Sequence, residues 1–269
     1  MKIAFRVLLL VALVLEVLVI LLSNTVSSFH SLWFLTPVPF IGLALFLLFL
    51  GIWRDYRRND KSWAASLSAT SKRFGVPKKA LALLVSEIGS LTSALGIFRP
   101  SKFKMGEYTV HKNLRTIVFL ILGLCAVEIT VVHLAVPSDL WRYILLIASI
   151  YAAFLLTGFY VSIRENPHVI TPEGILLRHG KRLTCEIQWS HLGEVKTTRA
   201  GQGGDIEVDE NGYLRIPVLS EVNVKLELEH QVIVEDLHKG FTEVSAVECY
   251  CDDKESFLKD IAKQRPPSE

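Results

Sequence analysis

Residues 3–22, 33–53, 116–136 and 141–163 are almost continuously apolar, and no comparable stretch follows residue 163. A bilayer core of roughly 30 Å takes about 20 helical residues to cross. The pattern therefore predicts four membrane spans. Residues 80–98 read differently. Leu81, Leu84, Ile88, Leu91 and Leu95 recur at helical spacing, while Ser86, Glu87, Ser90 and Ser93 interrupt the run and both flanks are basic. That is one apolar face, and it predicts an amphipathic helix lying at the membrane interface or packed beneath the spans; the alternative is a fifth span, which would place the tail outside. Pro77 suits the first turn of this helix and Arg99-Pro100 ends it.

From Pro167 the period changes to two. Strands are predicted at 168–171, 175–178, 184–189, 195–199, 206–208 and 213–216, then through the alternating Val222, Val224, Leu226 and Leu228, around Val232-Ile233-Val234, and at 244–251. Glu210-Asn211-Gly212 marks a tight hairpin. Asp252 or Asp253 caps a final helix that places Phe257, Leu258 and Ile261 on one face. The fold class is α+β. A four-helix transmembrane domain with an interfacial helix occupies 1–163, and a small antiparallel β-barrel or sandwich with a C-terminal helix occupies 164–269.

Charge adds an orientation. The net charge of +2 conceals 16 Lys+Arg against 7 Asp+Glu in residues 1–163, and 13 against 20 in residues 164–269. The excess lies in the loop 54–115, with 13 basic and 4 acidic residues. Lys and Arg gather on the cytoplasmic side of spans. The loop 23–32 has neither, and Pro137-Ser138-Asp139-Leu140 is neutral or acidic. Both termini are thus expected in the cytoplasm. Residues 3–22 exceed the usual apolar length of a signal peptide. The acidic tail and the basic loop are expected on one side of the membrane, where opposite charge favours docking of one on the other.

Glu16, Glu128 and His133 fall inside the spans. An intramembrane carboxyl costs about 2.5 kcal/mol or more and so needs a partner or a cavity. Helix rise places Glu16 roughly 20 Å and Glu128 roughly 18 Å from the cytoplasmic ends of their spans. One reading is a shared proton or cation site. The other is two protonated carboxyls, each hydrogen-bonded across a helix interface. No paired helix breaks of the transporter kind accompany them. The cysteines Cys125, Cys185, Cys249 and Cys251 lack paired metal-site spacing. No nucleophile, phosphate-loop or dinucleotide motif occurs. No metal, cofactor or nucleic acid is expected, and the chain reads as non-enzymatic.

The tail also carries a resemblance. VITPEGILLR at 169–178, IQWSHL at 187–192 and YCDDKESFL at 250–258 resemble the opening hairpin, the following turn and the closing helix of bacterial PH-like domains, with Gln188 where that pattern prefers Pro. The resemblance spans residues 165–264 and implies a PH-like barrel on a membrane anchor, with no ligand assigned to any residue. Some members are associated with resistance to membrane-active peptides. The expected role is a module for protein or membrane-surface interaction, as scaffold, sensor or envelope-stress factor. The alternative is a small proton- or ion-coupled transporter using Glu16 and Glu128. Arg178, Lys181 and Arg182 at the first hairpin tip are candidates for contact with an anionic surface, although solvated tips are commonly polar. The expected partners are the lipid bilayer and a protein whose identity the residues do not specify.

Overall fold

The computed structural model describes residues 37–99, 106–200 and 204–265, together with Val11 and Val14. The described residues form an α+β protein of six helices and nine strands. Two compact units divide between Leu83 and Leu84.

In the first unit, α1 (Pro37–Arg58) and α2 (Trp63–Phe74) form a helical hairpin. Asp60 and Lys61 make the turn at φ 47° and 62°. Ser62 then caps α2, its Oγ accepting from the Ala65 amide at 3.2 Å. Gly75 ends α2 in the left-handed conformation, φ 74°. The buried Asp55 carboxylate holds the pair together, accepting from Thr70 Oγ1 at 2.9 Å and Arg73 Nη2 at 2.6 Å. The Phe74 ring lies on Gly51, where a Cβ would come within 2.4 Å of it. This helix inside the basic loop is absent from the hydropathy pattern, because WAASLSATSKRF buries Ala64, Ser66 and Thr70 with only two large apolar side chains, Leu67 and Phe74.

α3 (Lys78–Ala94) is helical over most of the segment 80–98 and ends at Ala94, short of the stop expected at Arg99-Pro100. In the second unit, α4 (Lys112–Ala135) and α5 (Asp139–Arg164) form an antiparallel hairpin around the turn at 136–138. Among the described residues, two helices are long and apolar enough to cross a membrane, Lys112–Val132 and Asp139–Arg164, with only 6% and 17% of their apolar windows buried. A core helix of a globular unit would be mostly covered; these are not. Glu16 and all of the span at 3–22 except Val11 and Val14 lie outside the described residues, as does the His133 side chain.

The strands are β1 (Glu107–Tyr108), β2 (His168–Ile170), β3 (Gly174–His179), β4 (Leu183–Gln188), β5 (Leu192–Ala200), β6 (Glu207–Val208), β7 (Tyr213–Ile216), β8 (Val222–Asp236) and β9 (Gly240–Cys249). They make one sheet in the order β1-β2-β3-β4-β8-β9-β7-β6, with β5 also on β8. The two alternating runs read at 222–228 and around 232–234 are one strand, whose pairing with β9 is interrupted between Glu227 and Val232. β7 pairs with β9 in parallel, so the sheet is mostly rather than wholly antiparallel. β1 precedes α4 in the chain yet pairs with β2, which follows α5. The helical hairpin is thus inserted into the sheet, which draws on both sides of the 163/164 boundary. Gly212 turns the β6–β7 hairpin at φ 77°. α6 (Lys254–Gln264), capped by Asp253 Oδ1 on the Ser256 amide at 3.1 Å, buries Phe257 and Ile261 in the sheet's core.

Candidate functional site

The most constrained polar region of the second unit is the junction where α4 and α5 meet the sheet. The first four amides of a helix have no partner within it. At α4 a carboxylate from a distant element supplies one: the His111 and Lys112 amides donate to Asp252 at 3.0 and 3.2 Å. The positive end of the helix dipole favours the same charge. Asn113 Nδ2 donates to the Tyr250 hydroxyl at 2.8 Å, and the Asp252 amide donates to the Thr109 carbonyl at 2.9 Å. Burial lowers the His111 pKa, opposed by Asp252 and assisted by Arg164. Tyr108 on β1 donates its hydroxyl to Asp260 of α6. Burial and then that bond push the phenol well above its usual range.

The other end of the hairpin is anchored by Arg164. Its Nη2 donates to the carbonyl of Gly96 at 2.8 Å and of Arg99 at 3.3 Å, and its Nη1 to that of Ile97 at 3.4 Å. One guanidinium therefore satisfies carbonyls beyond the C-terminus of α3. Between the anchors lies an apolar cluster that includes Val110, Leu114, Tyr160, Val161 and Val218.

His168 on β2 ties β3 to the residue that follows β9 through a fully buried ring. Nδ1 accepts from the Arg178 amide at 3.2 Å, which leaves Nε2–H to donate to the Tyr250 carbonyl at 3.1 Å. Burial pushes its pKa down to about 4, so the ring is neutral at pH 7.

The β3–β4 tip is docked rather than open. The Lys181 amide donates to Ser162 Oγ at 3.1 Å. At Gly180, φ 55°, a Cβ would meet the same oxygen at 2.8 Å. His179 lies against Phe159 of α5, ring centroids 6.3 Å apart. The three cationic candidates differ accordingly. Arg182 is engaged by Asp205 at 2.7 Å and lies 3.5 Å from Asp236, so its charge is met within the protein. Lys181 is exposed, and Arg178 is half-exposed while its amide serves His168.

Glu128 is exposed on α4. Its meeting with Glu16 lies outside the described residues. Cys185, Cys249 and Cys251 are free and buried; burial pushes Cys185 and Cys251 up to about 12 and raises Cys249 as well. They are protonated core thiols. Among the described residues there is no cluster of three or more His, Cys, Asp or Glu able to hold a metal ion. Sequence reasoning missed Asp252 as an anchor of α4, and also Arg164 and His168. The acid next to Asp253 looked like an alternative cap for α6, and nothing in its neighbours pointed 140 residues upstream.

No protein-family model, curated protein or solved structure matches the chain.

Proposed function

We propose that this chain is a non-enzymatic, multi-pass membrane protein that presents a PH-like β-module at the cytoplasmic face. The module engages a protein or the membrane surface, as a scaffold, sensor or envelope-stress factor. In this reading the four spans are 3–22, 33–53, 116–136 and 141–163. The observation that carries it is the insertion of two span-length helices between β1 and β2. The Asp252 and Arg164 anchors hold both ends of that insertion. Such a graft makes the sheet an extension of the membrane anchor rather than a tethered domain. A further support is the outer face of β8–β9. Ile233 and Phe241 are 62% and 56% exposed there, paired in register with Glu243 and Glu235. Apolar side chains among carboxylates at exposed positions of a sheet suit contact with a partner.

A photo-crosslinking amino acid at Ile233 or Phe241 of the full-length protein in cells tests the reading. A discrete protein or lipid adduct at these positions, absent from a crosslinker at Glu186, supports it. The absence of any adduct overturns it.

A further inference from the structure

We propose that the second half of α3, from Leu84 on, together with the turn after it, is a lipid-contacting segment. It seats its small residues against α5 and turns Ile88, Leu95 and Phe98 toward a leaflet containing anionic lipid. The inference rests on the reading of α5 as a membrane span.

The seating is close. A Cβ at Gly158 of α5 would lie 1.8 Å from the Ser90 carbonyl oxygen, and one at Gly96 would lie 3.3 Å from Val161 Cγ1. Such approach is how helices associate in lipid, where burying apolar surface brings no gain over acyl chains and small residues let backbones meet. Ser93 and Ala94 are buried in the same stretch.

Apolar side chains beyond this seat are uncovered, beside the exposed Glu87. Ile88, Leu95 and Phe98 are 38%, 71% and 94% exposed. Ile88 lies on α3, and Leu95 and Phe98 follow its last residue, Ala94, in the turn; together they make an exposed apolar stripe. Thr92, exposed within that stripe, folds its hydroxyl back onto the Ile88 and Gly89 carbonyls at 2.8 and 3.0 Å. It thereby presents a methyl group instead of a hydroxyl.

Three features identify lipid as the occupant. α5, against which the segment packs, itself carries exposed apolar side chains, Tyr151 and Phe154 among them. The carbonyls that follow α3 receive Arg164 rather than depending on water, as a lipid environment requires. Cations border the stripe: Arg99 is exposed beside Phe98, and Lys181 is exposed with its stem near Gly89. Lys and Arg at a bilayer surface attract anionic headgroups.

The test uses the full-length protein in vesicles doped with a phosphatidylcholine that carries a diazirine in its acyl chain. The vesicles are phosphatidylcholine alone or a mixture with phosphatidylglycerol. Labelled positions are mapped by peptide fragmentation. The expected result is label on Ile88, Leu95 and Phe98 as well as on Ile147 and Phe154 of α5. Relative to α5, labelling of the α3 stripe rises about twofold or more with phosphatidylglycerol. Label on α5 alone overturns the inference and leaves α5 a span. Label on neither overturns both readings. Equal labelling in the two vesicle types overturns the role given to Arg99 and Lys181. A protein adduct that replaces lipid label at the stripe in native membranes assigns the face to a protein instead.

Discussion

His168 shows how one side chain ties stability to pH. Its ring is neutral because both nitrogens are committed to backbone groups and no water reaches them. The folded pKa is about 4, against about 6.5 in an unfolded chain. Between these values the unfolded chain binds more protons than the folded one. The stability His168 contributes is therefore complete above pH 6.5 and is lost as pH falls toward 4. The full window is worth about 3 kcal/mol. Denaturant midpoints in detergent from pH 7.5 to 4.5 should fall, with burial of His179, also pushed down to about 4, and of His111 and His238 adding in the same direction. His168→Ala should cost about 2–4 kcal/mol at pH 7.5 by leaving an amide and a carbonyl unpaired beside a cavity. It should also flatten the acid slope. An unchanged slope in the variant would assign the pH dependence to other groups.

At the scale of elements, two contacts decide where helices begin and how they pack. Asp252 serves α4 as an N-terminal cap supplied from the turn between β9 and α6, 140 residues along the chain. Asp252→Ala should lower stability by about 1–2 kcal/mol, read from the unfolding midpoint. Asp252→Asn should recover part of that loss, because an amide oxygen still accepts but carries no charge for the helix dipole. Gly158 is the point where α3 and α5 touch. Gly158→Ala places a methyl group on the Ser90 carbonyl and forces the helices apart. The expected cost is about 1–3 kcal/mol. Hydrogen exchange should accelerate in residues 84–94 and remain unchanged in β8 and β9. Uniform acceleration would mean that the seam is not a local unit.

For the whole molecule, the insertion of α4–α5 into the sheet has a topological consequence. Both ends of the hairpin return to one sheet, so the turn at 136–138 and the C-terminal helix lie at opposite ends of the hairpin. If the hairpin crosses a bilayer, reporters in that turn and at Glu269 must report opposite sides. The Lys and Arg excess in 54–115 predicts a cytoplasmic Glu269. Identical signals from both reporters would remove α4 and α5 from the membrane. An external Glu269 with an internal turn would keep the spans and invert the protein.

The features legible from the sequence were those that repeat locally. Twenty-residue apolar runs, period-two alternation and the Asn211-Gly212 turn each need only a few adjacent residues to be recognised, and the elements at 112–135, 139–164 and 213–216 follow from them. The capped final helix was readable in the same way, because Asp253 and the spaced Phe257 and Ile261 lie within one short segment. Tertiary structure decided whatever depends on distant partners. Two residues at 107–108 are too few to show a period, and they become a strand only because β2 offers its edge. The parallel β7–β9 pairing depends on the crossover, which no local pattern encodes. Arg182 read as a free cation at a hairpin tip, yet Asp205 and Asp236 converge on it from later strands and loops. His168 read as one more strand residue. Only the folded sheet brings the Arg178 amide and the Tyr250 carbonyl to opposite sides of its ring, because their separation in the chain sets no distance in space.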